Sequence, residues 1–276
     1  MASVYGTVNK FLSEGYAVIY AVEERGVSKN ASKSQLINNI YSKMKKSQLI
    51  EDIETHIESG ALTVVDARVV YSPSKQIDTA KTVKQWISLI KTVRKKGNFK
   101  DIAVISDGVT VFSDTNNLDR IIAYERAISE SVKKLQSVRV ICCYLQESLD
   151  TFQFAQLMSI VNTHQCAVGR IEDSEESKKM NSAVMLEAIV DGIEDVLGEG
   201  SSKLVMQTMK AVYRINEYTA VSNPHLFQEK MQRLLGSSSK AVLDSASKRI
   251  KETLLATGLA LVIMATVFSS TILVFR

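Results

Sequence analysis

Five short runs of this chain are apolar almost without interruption and rich in β-branched residues: Tyr16–Val22, Ala61–Ala67, Asp101–Asp107, Val138–Leu145 and Gln165–Gly169. Unbroken apolarity over so few residues predicts strands buried on both faces, as in a parallel sheet. Between the runs the period changes to that of a helix. Leu36, Ile37, Ile40 and Tyr41 form one stripe. Leu49, Ile50, Ile53 and Ile57 form a second, with Gly60 placed to end it in a left-handed cap. Val83, Ile87 and Ile90 line a third, and Leu118, Ile121, Ile122, Glu125, Ile128, Val132 and Leu135 a fourth. Ser148 is a candidate cap for a fifth, with Leu149, Phe152, Leu157, Ile160 and Val161. Strands alternating with helices predict an α/β fold, an open and mostly parallel sheet flanked by helices, over residues 1–170.

At Glu172–Ser182 apolar residues nearly vanish, and 171–182 is expected to be a linker. Beyond it only helical stripes remain. Leu186, Ile189, Val190, Ile193, Val196 and Leu197 end at Gly198, and Val205, Met209, Val212 and Tyr213 follow. Asn223 before Pro224 is a helix start, a cap followed by a first-turn proline. Residues 183–252 are therefore expected to form a small all-helical domain.

The last stretch, Leu254–Phe275, holds no charge and is long enough to cross a bilayer, which takes about 20 apolar residues. Lys248–Lys251 (KRIK) stands just before it, on the side expected to stay in the cytoplasm. The expectation is one C-terminal transmembrane helix within 253–276, membrane lipid as a partner, and a single-pass cell-membrane location with the preceding domains cytoplasmic. The start of the chain has neither a basic opening nor an apolar run, so no secretory signal is expected. The net charge of +4 is small and spread along the chain. From Asn181 to Ile250 eight basic residues balance eight acidic ones, so no nucleic-acid partner is expected. Three cysteines make no disulfide framework.

No phosphate-binding loop is present. Gly198–Lys203 (GEGSSK) has the wrong spacing and follows a helix. The three histidines are scattered, so no metal and no cofactor is expected. Cys142 and Cys143 must point to opposite faces of their strand. Either they are ordinary core packing or one of them is a sensing thiol. Ligands of open parallel sheets bind beyond the carboxyl ends of the strands, which here carry Glu23, Asp66, Asp107 and Tyr144, with Glu125 on a neighbouring helix. These carboxylates are either a ligand-binding rim or solvated strand ends. No nucleophile–base pair accompanies them, so catalysis is not expected.

The succession SGALTVVDARVVY (Ser59–Tyr71), Tyr124–Glu125, Cys142-x-Tyr144 and Thr163–His164 resembles the MEDS family, DcmR-like sensory domains of methanogens and methylotrophs with a RecA-like α/β fold. The resemblance implies a sensor for small, often hydrocarbon-like molecules. It also implies Asp107, Tyr124, Glu125, Cys142, Tyr144 and His164 as pocket residues. The family's first strand and its histidine have no counterpart here, so one sheet edge is expected to be bare or paired with another chain. The helical module is similar to small helical domains of archaeal proteins. Together these readings predict a membrane-anchored, cytosol-facing sensory or adaptor protein that binds a small apolar ligand or a protein partner. The alternative is an assembly subunit using the same fold as a docking platform.

Overall fold

The computed structural model describes residues 2–22, 33–71, 78–106, 118–135, 137–145, 149–164, 174–260 and 270–275. Four of the five apolar runs are strands: β1 (Ala17–Val22), β2 (Leu62–Asp66), β3 (Ile102–Ser106) and β4 (Val138–Leu145). The fifth run, 165–169, lies outside the described residues. The sheet is completed by β5 (Ser270–Phe275), in the order β2-β1-β3-β4-β5 with every pair parallel. In the centre, Tyr20 of β1 lies between Val64 of β2 and Ile105 of β3.

Side chains alternate across a strand, so each one feeds two cores. Val18, Tyr20, Ala103, Ile105, Ile141 and Cys143 face α1 (Ala2–Ser13), α2 (Lys33–Ser47) and α3 (Ile53–Glu58). Ala17, Ile19, Ile102, Val104, Cys142 and Tyr144 face α4 (Ala67–Tyr71), α5 (Thr79–Gly97), α6 (Leu118–Val132) and α7 (Phe154–Thr163). Gly60 takes φ +76°, the left-handed conformation that an L side chain resists, and ends the turn leading from α3 to β2. One helix start lies later than its stripe suggests, and the Ser148 cap lies outside the described residues. Leu49 is exposed and α3 begins only at Ile53. α7 begins at Phe154, where Gln153 and Gln156 cap each other reciprocally.

The remaining helices are α8 (Ser174–Leu197), α9 (Ser201–Tyr213), α10 (Glu217–Ser222), α11 (Pro224–Leu235) and α12 (Ser238–Ala260). The expected linker is helical from Ser174 onward. Its Glu, Lys, Ser and Met residues favour helix well enough, and a lack of apolar groups does not by itself break one. Ile189, Ile193, Met209, Phe227, Met231 and Ile250 belong to the same buried cluster as Trp86 and Tyr144. α8 and α12 approach so closely that a Cβ on Gly192 would lie 2.6 Å from the Ala246 backbone nitrogen. Asn223 caps α11 by accepting from the Leu226 N–H at 3.2 Å, with Pro224 in the first turn.

The final apolar stretch does not form the single helix expected over Leu254–Phe275. α12 ends at Ala260 and Ser270–Phe275 pair as β5 along β4. Among the described residues no helix is long and apolar enough to cross a membrane. The physical reason lies in the edge of β4, whose open N–H and C=O groups require partners. The β-branched STILVF segment supplies them from within the chain. Among the described strands β2 and β5 stand at the two edges of the sheet.

Candidate functional site

The carboxyl ends of β3 and β4 place Ser106 beside Cys142 in register, with Tyr144 two residues further on the same face. Three segments converge on them. Tyr71 ends α4, Tyr124 and Glu125 lie midway along α6, and His164 directly follows α7. The sequence builds this convergence from simple parts. β2, β3 and β4 are each followed by a helix that returns over this same face, so residues from those connections meet above it.

Glu125 is the hub. Its Oε1 accepts from the Tyr144 hydroxyl at 2.7 Å, and its Oε2 accepts from the Cys142 thiol at 3.1 Å. His164 Nε2 lies 3.3 Å from the same Oε2. The other ring nitrogen, Nδ1, is 2.8 Å from the Ile160 carbonyl oxygen and 3.0 Å from Thr163 Oγ1. A carbonyl can only accept, and Thr163 spends its own proton on that carbonyl at 2.7 Å, so Nδ1 carries the hydrogen. A second chain of hydroxyls adjoins the hub. Tyr71 bonds Ser106 at 2.7 Å and lies 3.4 Å from the Tyr124 hydroxyl. The Tyr71 ring stands edge-on to Trp86 and to Tyr124.

Apart from the half-buried Thr163, every one of these side chains is buried, His164 at 3%. Burial by itself pushes the Glu125 carboxyl up, but the hydrogen bonds from His164, Tyr144 and Cys142 outweigh it and hold the group below its usual range. The same burial, with the Glu125 charge beside it, pushes the Cys142 thiol and the Tyr144 phenol well up. Tyr124 and Tyr71 are raised for the same first reason. The arrangement is thus one anion surrounded by protonated donors. It can hold a proton or a cation between Glu125 and His164.

Of the eight residues singled out in the sequence, Glu125, Cys142, Tyr144 and His164 meet directly, and Tyr124 joins through Tyr71. Asp66 does not reach the cluster. Arg68 holds it with donations from Nε at 3.0 Å and Nη2 at 2.8 Å, and with its backbone N–H at 2.9 Å. Glu23 and Asp107 lie outside the described residues. Sequence reasoning missed Tyr71, Ser106 and Thr163. Tyr71 sits in the quoted Ser59–Tyr71 stretch and could have been found there, whereas nothing local marks Ser106. Cys142 is more than core packing, since its thiol bonds the hub. Cys143, one residue on, packs among apolar groups on the opposite face.

Beside His164, a polar groove of about 350 Å³ runs between α6, α7 and the start of α11, with Arg126, Ser159, Thr163 and Asn223 in its wall. It brings the surface within one residue of the cluster.

Residues 1–165 match the family described as MEDS, the methanogen/methylotroph DcmR sensory domain. No curated protein and no solved structure matches the chain. The family match covers β1 to β4, α1 to α7 and the whole hydrogen-bonded cluster around Glu125, and the chain belongs to the MEDS family of sensory domains.

Proposed function

We propose that the chain is a non-catalytic sensory or adaptor module in which the Glu125 cluster detects and the helices after it respond. The observation that carries this reading is the double attachment of α7. At its end, Ile160 and Thr163 fix the His164 ring against Glu125. Along its length it is bonded to the helical module. The Ala155 N–H donates to Gln228 of α11 at 3.2 Å, Asn162 donates to the Val221 carbonyl of α10 at 2.7 Å, and Phe154 packs on Phe227. A change in what Glu125 holds therefore acts on a helix that α10 and α11 must follow. The aromatic surround of Tyr71, Trp86, Tyr124 and Phe152 suits a small ligand or an apolar one that displaces a side chain.

The test is amide hydrogen exchange on Glu125→Gln, which keeps the shape and removes the charge. Faster exchange in α10 and α11 is expected as well as in α6. Change confined to α6 and β4 overturns the relay.

A second reading, anchoring in a membrane, rests on the uncharged run Leu254–Phe275 and the basic Lys248–Lys251 before it. In that state β5 leaves the sheet and the run enters lipid, with the rest of the chain on the cytoplasmic side. Flotation with liposomes is expected for the full chain and not for a chain ending at Ala260. Equal flotation of both removes this reading.

A further inference from the structure

We infer that Glu125, Cys142 and His164 form a binding site for one thiophilic divalent cation of the zinc class. This deepens the sensory proposal and rests on it, naming the ligand class of the same site.

Three observations carry the inference. The first is donor chemistry. A carboxylate oxygen, a sulfur and an imidazole nitrogen lie within 4.8 Å of one another, all buried. Such a mixed set suits a borderline-soft ion. The second is spacing. Around a tetrahedral zinc, ligand atoms at about 2.0–2.3 Å from the metal stand about 3.3–3.7 Å from each other. Here the Glu125 Oε2 to Cys142 Sγ distance is 3.1 Å and the Oε2 to His164 Nε2 distance is 3.3 Å. The donors need to part by only a few tenths of an ångström to admit the ion.

The third observation is the support around them. A metal-ligating histidine donates its other N–H to a fixed acceptor, which orients the ring, and ligating carboxylates are themselves hydrogen-bonded. His164 gives Nδ1–H to the Ile160 carbonyl, so its Nε2 is the ligating nitrogen. Tyr144 holds Glu125 Oε1 at 2.7 Å, which leaves Oε2 for the metal. Cys142 Sγ and His164 Nε2 thus both lie against Glu125 Oε2, and all three donor atoms are within 4.8 Å of one another.

Charge agrees with this. A divalent cation between His164 Nε2 and the Glu125 carboxylate oxygen, 3.3 Å apart, gives both of them one shared positive partner. On binding, the Cys142 S–H bond breaks, its proton passes to buffer, and an S–metal bond forms. Two positive charges then meet one thiolate and one carboxylate, so the buried unit is neutral. Three protein ligands leave a fourth position for water or a small ligand. The groove at Thr163 offers the route from the surface.

The experiment uses the tag-free full chain and cobalt(II) as probe. One cobalt per chain is expected, with a sulfur-to-cobalt charge-transfer band and the strong visible bands of four-coordinate cobalt. Cys142→Ala is expected to abolish the charge-transfer band, and a chain with Cys143→Ala and Cys166→Ala is expected to keep it. Glu125→Gln and His164→Gln are expected to weaken binding by about tenfold or more. X-ray absorption of the zinc-loaded parent chain needs no variant to fold. It is expected to show one sulfur at about 2.3 Å among lighter ligands at about 2.0–2.2 Å. Absence of sulfur from the zinc shell, or a charge-transfer band that survives Cys142→Ala, overturns the inference.

Amide exchange in α10 and α11 with and without zinc separates this inference from the relay. Binding with sulfur ligation but no change in those helices upholds the site and overturns the relay. A response of those helices to Glu125→Gln without any zinc binding does the reverse.

Discussion

On one face of β4, Ile141 and Cys143 pack against an apolar layer that includes Val4, Val8 and Phe11 of α1. On the other face, Cys142 and Tyr144 donate to a carboxylate. The two cysteines are adjacent in sequence and equally buried, at 1% each. Their difference comes wholly from what other elements bring opposite them. Cys143 lies in the apolar cluster shared with α1, whereas α6 delivers Glu125 to Cys142. Burial alone is thus a poor guide to chemistry, since the same residue at the same depth is inert on one side and part of a network on the other.

The largest expected effect comes from removing the hub. Glu125→Ala leaves the Tyr144 hydroxyl, the Cys142 thiol and the His164 ring without their shared acceptor. A loss of about 3–5 kcal/mol in unfolding free energy is expected, read from the urea midpoint. A loss no larger than that of a simple cavity would break the contrast between the faces.

Next comes Gly192→Ala, which tests whether the polar face and the helical module are one core. The added methyl meets the Ala246 backbone, which can yield only by separating α8 from α12. A loss of about 1–3 kcal/mol is expected. Faster amide exchange should extend into α7, because the cluster there is continuous with Ile193 and Ala246.

Ile141→Val on the apolar face removes one methylene and leaves no polar group unsatisfied. Its expected cost is about 1 kcal/mol, with no change in cobalt binding at the opposite face. A change in the cobalt bands would show that the two faces are coupled through β4.

The smallest effect belongs to an exposed counterpart of the buried pair. Arg249 and Ser245 donate to Asp195 and hold its carboxyl below its usual range. A depressed folded-state value means that the contribution is present above the unfolded value and is lost as pH falls through the folded one. The difference in thermal midpoint between the parent chain and Asp195→Asn should be slight at neutral pH and vanish in acid, as solvent screening requires.

Much of this fold is legible without coordinates. The runs at β1, β2, β3 and β4 are too uniformly apolar to be anything but strands buried on both faces. Pro224 after Asn223 is a helix start in any context. The helix start at Ile53 is less legible, because Leu49 continues the stripe although the backbone turns between the two. Four members of the buried cluster can be proposed from the sequence, but their contacts cannot. Seventeen residues separate Glu125 from Cys142, and twenty-two more lie between Cys142 and His164. No spacing rule links groups so far apart, and scattered histidines argue against a metal until the helices are folded back onto the sheet.

By itself the sequence determined that Leu254–Phe275 must leave water, because no charge interrupts it and its apolar surface is too large to hydrate. It could not determine what receives it. A lipid helix and a parallel partner strand both satisfy backbone N–H and C=O groups and both bury the side chains. Only the tertiary structure offers the edge of β4 as a partner for Ser270–Phe275. The same holds for Glu125, whose charge the sequence announces and whose three partners arrive from other elements. Burial is encoded locally, by the pattern of side chains, whereas the partner in burial depends on which surfaces the whole chain brings together.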